Sequence, residues 1–540
     1  MNTSWRGLRA WVERGGWGPQ TLLLAVLCGL TGLYSVRLGT DSNWDLRNYH
    51  LYAAFSFLHG RLGFDVVPAQ FQTFFNPLPN LPYYFLVRTL NDHPRLIAFL
   101  MGLPAGLYAF ALARIAMMMA SRTLGRGWPS MSVAAVVTLM GMTGAATITA
   151  IGSTTNDVSV GALVMVALWL TLRAADAPGL ERRDLALQML LAGFVCGAAV
   201  GLKLTNIIYA APLGLLILAL LGLRAAIAAG LAMAIGFLLF WAPFAWMLWR
   251  EYASPVFPMY NDLFQSADYP SVRIGDTRFL PRDWMQALFY PFYWLRPNAG
   301  LVTELIMRDP RVAIAYLSSL VLGLGFLLRG SWRETLRTQR STVLLVVFCI
   351  ATYAIWAKIF GIYRYLLVVE SLAGVLLVLA LGRLMPQEAW RKAAATGIVA
   401  LAAMLMTIAP NWGHVRHGAQ AVRLDPLPIP PDGLLLIAGD DGLAYVATFL
   451  PAGVRAVGIY NNIVRPGEET GITRRVHATV AQHHGPFRLL LGEDVTAERA
   501  AALLAPYDLR LGSCGIIRSN LQPGGHAFCE VARASPPAAG

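Results

Sequence analysis

Runs of about 20 apolar residues recur along this chain, and no other feature limits its fold as strongly. A run of that length crosses the hydrocarbon core of a bilayer as a helix. Eleven such runs are legible, near 19–37, 95–119, 128–151, 157–174, 187–202, 205–222, 225–248, 311–328, 341–357, 363–383 and 393–410. The 540 residues are 56% hydrophobic and 14% charged, where soluble chains carry about 25% charged residues. A water-soluble globule is therefore excluded for the chain as a whole, and so is disorder, which needs low hydrophobicity. The predicted fold class is a polytopic α-helical membrane protein of about 11 spans. The first run is not expected to be a cleaved signal peptide, because Arg37 and Asp41 lead from it directly into a structured-looking segment.

The net charge of +13 invites a nucleic-acid reading, which its distribution argues against. Residues 411–540 hold 11 Arg and 11 acidic side chains, so the whole excess belongs to residues 1–410. Short cytoplasmic loops collect such charge. Arg6, Arg9 and Arg14 precede the first span. Arg122 and Arg126, then Arg173, Arg182 and Arg183, then Arg224, then Arg329, Arg333, Arg337 and Arg340, then Arg383, Arg391 and Lys392 fall in alternate connections. With eleven spans all lie on one side. The N-terminus is then cytoplasmic, and loops 38–94, 151–157 and 249–310 and the tail 411–540 face the periplasm of a bacterial inner membrane. The expected domains are 1–410 in the membrane and 411–540 outside it.

The tail changes character. Short apolar runs at Leu434–Ala438, Val454–Ile459 and Phe487–Leu491 alternate with helix-like stretches at 442–449, 470–484 and 495–505, which predicts a small α/β domain. Gly439-Asp440-Asp441-Gly442 follows the first of these runs. It lacks the spacing of a dinucleotide-binding loop and reads as an ordinary strand–helix turn, with a ligand-binding turn as the alternative. Cys514 and Cys529 lie 15 positions apart and form a candidate disulfide in an oxidising compartment, one that would contribute about 3 kcal/mol.

The first outer loop is the richest in polar chemistry. Asp41 and Asp45 precede an apolar periodicity through Leu46, Tyr49, Tyr52, Ala53, Phe57 and Leu58. This predicts an amphipathic helix on the membrane surface, begun by Asp45 and ended near Gly60. Asp45-Leu46, Tyr49, Ala53, Leu58 and Gly60 resemble the D-L-x-x-Y…A…L-x-G pattern of the mannosyltransferase-like branch of the GT-C glycosyltransferase superfamily. Asp45 is also similar to the first-loop Asp of oligosaccharyltransferase catalytic subunits, whose following proline is replaced here by Leu46. Ser254-Pro-Val-Phe-Pro-Met-Tyr-Asn261 resembles an N-P-x-F-P-x-Y-N stretch of bacterial GT-C-like sequences, with Ser254 in place of the first Asn. The resemblance implies an inverting membrane enzyme that takes a sugar from a polyprenyl-phosphate carrier.

Such a transfer needs a carboxylate to accept the acceptor's proton and cations to hold the leaving phosphate. Asp45 is the candidate base, with Asp41 as the fallback; the plainer reading makes Asp45 a helix cap. Asp157 of the second outer loop, beside Asn156, matches a second acidic position by location, or else caps the fourth span. Lys203, Lys358 and Arg364 stand at outer helix ends, where positive charge is normally avoided, and are the candidate phosphate ligands; snorkelling to lipid head groups is the alternative. Tyr49, His50, Asn156, Tyr363 and Glu370 complete the candidate substrate-binding set, with Glu370 also able to pair with Arg364 or Lys203. Asp45 and Asp157 can act with or without a divalent cation, Mg2+ or Mn2+. The expected partners are a polyprenyl-phosphate-linked sugar donor, a glycan, lipid or protein acceptor, and membrane lipids. Two other classes stay open. A transporter or flippase of lipid-linked saccharide predicts midplane charges and internal repeats, and a non-catalytic envelope assembly protein leaves the dense first loop unexplained.

Overall fold

A computed structural model describes residues 17–534 apart from 178, 180, 298–302, 329–331 and 387. Arg6, Arg9, Arg14 and Arg329 lie outside the described residues, as do the side chains of Arg333 and Arg337. The chain divides into two compact units. Of the described residues, the first gathers those up to Arg37, Phe99–Phe240 and Asp276–Asn411; the second gathers Leu38–Ala98, Trp241–Gly275 and those from Trp412 on.

The first unit is a helical bundle. Among the described residues, nine helices are long and apolar enough to cross a membrane: Gly18–Leu38, Pro94–Leu124, Asp157–Asp176, Arg182–Leu202, Leu204–Leu221, Leu223–Tyr252, Arg340–Ile359, Tyr363–Leu384 and Ala389–Met406. The two remaining expected spans are shorter apolar helices, Trp128–Met142 and Arg311–Leu327. Tyr363–Leu384 is the most enclosed, with 83% of its apolar stretch buried against 17% for Gly18–Leu38. Its residues 367–380 are apolar on every side apart from Glu370, Ser371 and Gly374, and a helix without a polar face belongs in a core.

Two helices of the bundle meet along a glycine seam. Gly193, Gly197 and Gly201 recur at every fourth residue of Arg182–Leu202 and so share one face. A Cβ at Gly193 or Gly197 would overlap the carbonyl oxygens of Ala229 and Met233 on Leu223–Tyr252. Small residues at this period let two membrane helices approach backbone to backbone.

The expected span 128–151 is broken. Its helix stops at Met142, and a separate turn of helix covers Ala145–Thr149. Backbone groups freed by a break inside an apolar bundle must find internal partners. Arg311, fully buried, donates from Nε to Met140 O at 2.7 Å and from Nη2 to Thr143 Oγ1 at 2.9 Å. Asp309, paired with Arg311 at 2.9 Å, accepts from Ala145 N at 2.7 Å. Glu370 accepts from the backbone N–H of Ala146 and Thr147 at 3.2 Å each.

The second unit is built around a five-stranded sheet. Two residues, β1 (Thr40–Asp41), pair antiparallel with β2 (His414–Val415). The sheet proper runs β3 (Leu434–Ala438), β4 (Arg455–Tyr460), β5 (Phe487–Leu491), β6 (Leu509–Ile517) and β7 (His526–Arg533) in the spatial order β4-β3-β5-β7-β6. β3 is parallel to both β4 and β5, and β7 is antiparallel to β5 and β6. Helices Gly471–Gln482 and Ala497–Leu504 start at Thr470 and Thr496, whose side chains cap them. Cys514 faces Cys529 across β6 and β7, and the two are disulfide-bonded.

Segments distant in sequence complete this unit. Arg61 holds Asp65 through two bonds, at 2.8 and 2.7 Å, and Tyr52 OH adds a third at 2.9 Å. Asp65 in turn accepts from Ala456 N at 2.8 Å, which ties the first outer loop to β4. Arg475 grips Asp268 with two bonds, at 2.8 and 2.9 Å, and also contacts Glu251. Part of the third outer loop thereby joins helix Gly471–Gln482.

Candidate functional site

Helix ends set the chemistry of the first unit. Helix Asp157–Asp176 opens with Asp157, where the N-terminal partial charge favours an anion. Its cap position is held by Asn156 in left-handed backbone, φ 61°, so Asp157 is not the cap. Helix Arg182–Leu202 ends at Lys203, whose extended backbone, φ −145°, turns the chain away. Arg364 lies in the tight turn Tyr363–Leu366 that leads into Leu367–Leu384. These three side chains meet. Lys203 Nζ contacts Asp157 Oδ1 and donates to Thr155 O at 3.0 Å. Arg364 Nη1 lies 3.8 Å from Asp157 Oδ2, and its Nη2 donates to Glu304 Oε1 at 3.4 Å. Both cations lie over the Tyr365 ring, at 5.4 and 5.5 Å. The third outer loop adds Arg278 and Asp276, joined by two bonds at 2.9 and 2.7 Å. Hydrogen bonds from Arg278 hold Asp276 below the usual carboxylate range, with a smaller contribution from the charge of Arg364.

Lys203 and Arg364 are therefore not the unmatched surplus that their sequence positions suggest. Lys203 is matched by Asp157, Arg364 by Glu304 and Asp157, and Arg278 by Asp276. Lys358 stands apart: it is exposed on the last turn of Arg340–Ile359 and makes no ion pair with a described residue. Glu370 and Tyr363 are buried in the bundle. Glu370 pairs with neither Arg364 nor Lys203 but serves the short helix Ala145–Thr149. Tyr363 packs edge-on against Trp294. Glu304, Asp309 and Arg311 were not distinguished in the sequence, where each is one polar residue in a long loop or at its edge.

In the second unit the first outer loop forms a helix, and part of it is buried against the tail. Of the expected stripe, Leu46, Tyr52 and Ala53 are at most 5% exposed, Tyr49 and Phe57 are half-buried and Leu58 is 42% exposed, and the segment packs against Ala444–Phe449 of the tail. The stripe marks burial at Leu46, Tyr52 and Ala53 but not at Leu58, and a stripe does not say what buries it. The helix begins at Trp44, before Asp45. Asn43 is the cap, since its Oδ1 accepts from Leu46 N at 2.7 Å and its carbonyl from Arg47 N. Asp41 orients that cap, its carboxylate accepting from Asn43 Nδ2 at 2.7 and 3.0 Å. Asp45 itself makes no capping bond and is half-buried. Leu46–His50 form a wide π-type turn, a rare geometry that recurs at functional sites. Tyr49 lies edge-on between the rings of His50 and Phe75.

Among the described residues no group of three or more His, Cys, Asp or Glu side chains is placed to hold a metal ion. Asp157 has its oxygens facing Lys203 and Arg364, an arrangement for cations of the chain itself.

The bundle and the α/β unit belong to one chain whose whole fold has solved counterparts. Solved structures that share it include ArnT from Cupriavidus metallidurans bound to undecaprenyl phosphate, at 13% identity and a TM-score of 0.50, covering 99% of this chain and 100% of that one. The same protein in its apo state matches with a TM-score of 0.51 over 94% of this chain and 97% of that one. At that identity the likeness is one of fold. No family model and no curated protein matches the chain.

Proposed function

We propose that this protein is an inverting glycosyltransferase of the bacterial inner membrane, which moves a sugar from a polyprenyl-phosphate carrier to the hydroxyl of a glycan, lipid or protein acceptor at the periplasmic face. Asp45 takes the proton from the attacking hydroxyl. Asp41, through Asn43, fixes the start of the helix that carries Asp45. Arg364 and Lys203 hold the carrier phosphate as negative charge develops on it, and Asp157 orients both cations. Lys358 adds an exposed positive charge that attracts the anionic carrier, and Tyr49, His50 and Asn156 contact the substrates. No step is assigned to a metal ion.

One observation carries this reading. Two candidate phosphate ligands, Lys203 and Arg364, and the second acidic candidate, Asp157, lie far apart in sequence and converge on one cluster in a fold shared with a protein solved with undecaprenyl phosphate. A transporter would use the buried ionisable groups Asp309, Arg311 and Glu370, but each is committed to the ends of a broken helix.

The test is a transfer assay. Purified full-length protein, supplied with undecaprenyl-phosphate sugars and envelope acceptors, should release undecaprenyl phosphate. Loss of a general base costs on the order of 10²–10⁴-fold in rate, and Asp45→Asn should fall in that range with donor affinity retained. Equal rates for the two proteins would remove Asp45 as the base. No turnover with any donor would remove the enzyme reading.

A further inference from the structure

An open α/β sheet binds its ligand beyond the carboxyl ends of its parallel strands, where the strand order reverses. In the tail sheet that point is β3, because the chain passes from β3 to β4 on one side and then to β5 on the other. The loops there are Gly439–Gly442 after β3 and Gly492–Asp494 after β5. They are knit together: Asp440 N donates to Asp494 at 3.1 Å, and Glu493 N donates to Asp441 Oδ2 at 3.0 Å.

The crevice is filled by the chain's own first outer loop. The Trp44 indole N–H donates to Asp440 O at 3.2 Å. Gln70 Nε2 donates to Asp440 O at 3.2 Å and to Asp441 O at 3.0 Å. Arg47 contacts the amide oxygen of Gln522, whose nitrogen donates to Glu493 Oε1 at 2.6 Å. Gly442 is the closest approach. A Cβ there would lie 2.8 Å from Trp44 O, 2.9 Å from Asn48 N and 3.0 Å from Arg47 Cβ. Asp45 thus lies in sequence between two residues, Trp44 and Arg47, that are both anchored at the switch point.

We propose that the switch point of the tail domain is the seat of the Asp45 helix, and that Gly442, Trp44, Gln70 and Gln522 are positioning residues for Asp45; the positioning role rests on the reading of Asp45 as the base. The tail takes no diffusible ligand in this crevice. It presents a backbone surface on which a short, π-turned helix is held in one orientation.

The test uses full-length protein in detergent with three variants. Gly442→Ala places a methyl group against the backbone of residues 44 and 48. Trp44→Phe removes the indole N–H and its bond to Asp440 O and keeps an aromatic ring. Gly515→Ala makes the same change as the first at a position where a Cβ meets nothing within 4 Å. Hydrogen–deuterium exchange of residues 43–58 should rise in Gly442→Ala, and less so in Trp44→Phe. A misplacement of about 1 Å costs on the order of 10²-fold, so kcat should fall by roughly 10–100-fold in Gly442→Ala. The donor KM should stay unchanged while the melting temperature of Gly442→Ala falls, and Gly515→Ala should match the wild type throughout. Unchanged exchange in both seat variants would overturn the seat. Raised exchange with unchanged kcat would overturn the positioning role. If the wild type transfers nothing, the glycosyltransferase reading and the positioning role fall together, while the exchange measurements still decide the seat. If Gly442→Ala does not fold, Trp44→Phe decides in its place.

Discussion

Asp45 illustrates how a residue's role can be narrowed by its neighbours. Its competing reading, a helix cap, is taken over by Asn43, and Asp41 is engaged in holding Asn43. Neither assignment is readable from the order Asp-Ser-Asn-Trp-Asp, because all four polar side chains are good caps. His526 shows a second residue-scale effect. It is buried at the start of β7, where its Nε2 lies 2.7 Å from Tyr445 OH. Burial, followed by the charge of Arg47, lowers its pKa from 6.5 to about 4. Between those values the unfolded chain binds a proton that the folded chain does not. The stabilisation is therefore complete above about pH 6.5 and is lost as the pH falls towards 4, by about 3 kcal/mol in all. Thermal unfolding of the full-length protein from pH 7 to pH 4 should show this decline, and His526→Gln should flatten it. Superimposable pH profiles for the two proteins would exclude His526 as the cause.

At the scale of elements, the apolar runs predict helices well and predict what covers them poorly. Of the eleven expected spans, 128–151 ends early, at Met142, because Arg311, Asp309 and Glu370 supply the hydrogen bonds that a break needs. Those partners come from 160 or more positions away, beyond the reach of any local pattern. In the tail, β3, β4 and β5 fall close to where alternating runs place them, whereas β6 and β7 are absent from that reading. β6 is exposed at most positions and carries Gly512, Ser513 and Gly515, so no apolar alternation marks it. The Gly193–Gly201 seam leads to a prediction. Inserting side-chain volume at a tight contact costs about 1–3 kcal/mol or more. Gly197→Leu should lower the stability of the purified protein by at least that much, whereas Gly230→Leu, on the partner helix where a Cβ meets nothing within 4 Å, should not. Equal melting temperatures for the two variants would exclude the seam as a tight helix contact.

For the whole molecule, the proposed donor site makes a prediction that does not depend on knowing the sugar or the acceptor. A ligand that binds only the folded state at 100 times its Kd stabilises it by about 2.7 kcal/mol. Undecaprenyl phosphate should therefore raise the melting temperature of the wild type and of Asp45→Asn, and should do so far less for Arg364→Ala. Equal stabilisation of Arg364→Ala would remove Arg364 as a phosphate ligand. The two units also show where sequence reading stops. Apolar run length by itself determined that the chain is a polytopic membrane protein, and the loss of those runs after residue 410 marked the α/β tail, because burying or hydrating a segment depends on its own composition. Which segments join that tail was decided only by the tertiary structure. Residues 38–98 and 241–275 belong to the tail's unit through Asp65, Arg475 and the Gly439–Gly442 turn. The pairing of Asp157 with Lys203 and Arg364 was decided in the same way. Such contacts depend on geometry between residues dozens to hundreds of positions apart, and no local periodicity or composition encodes that geometry.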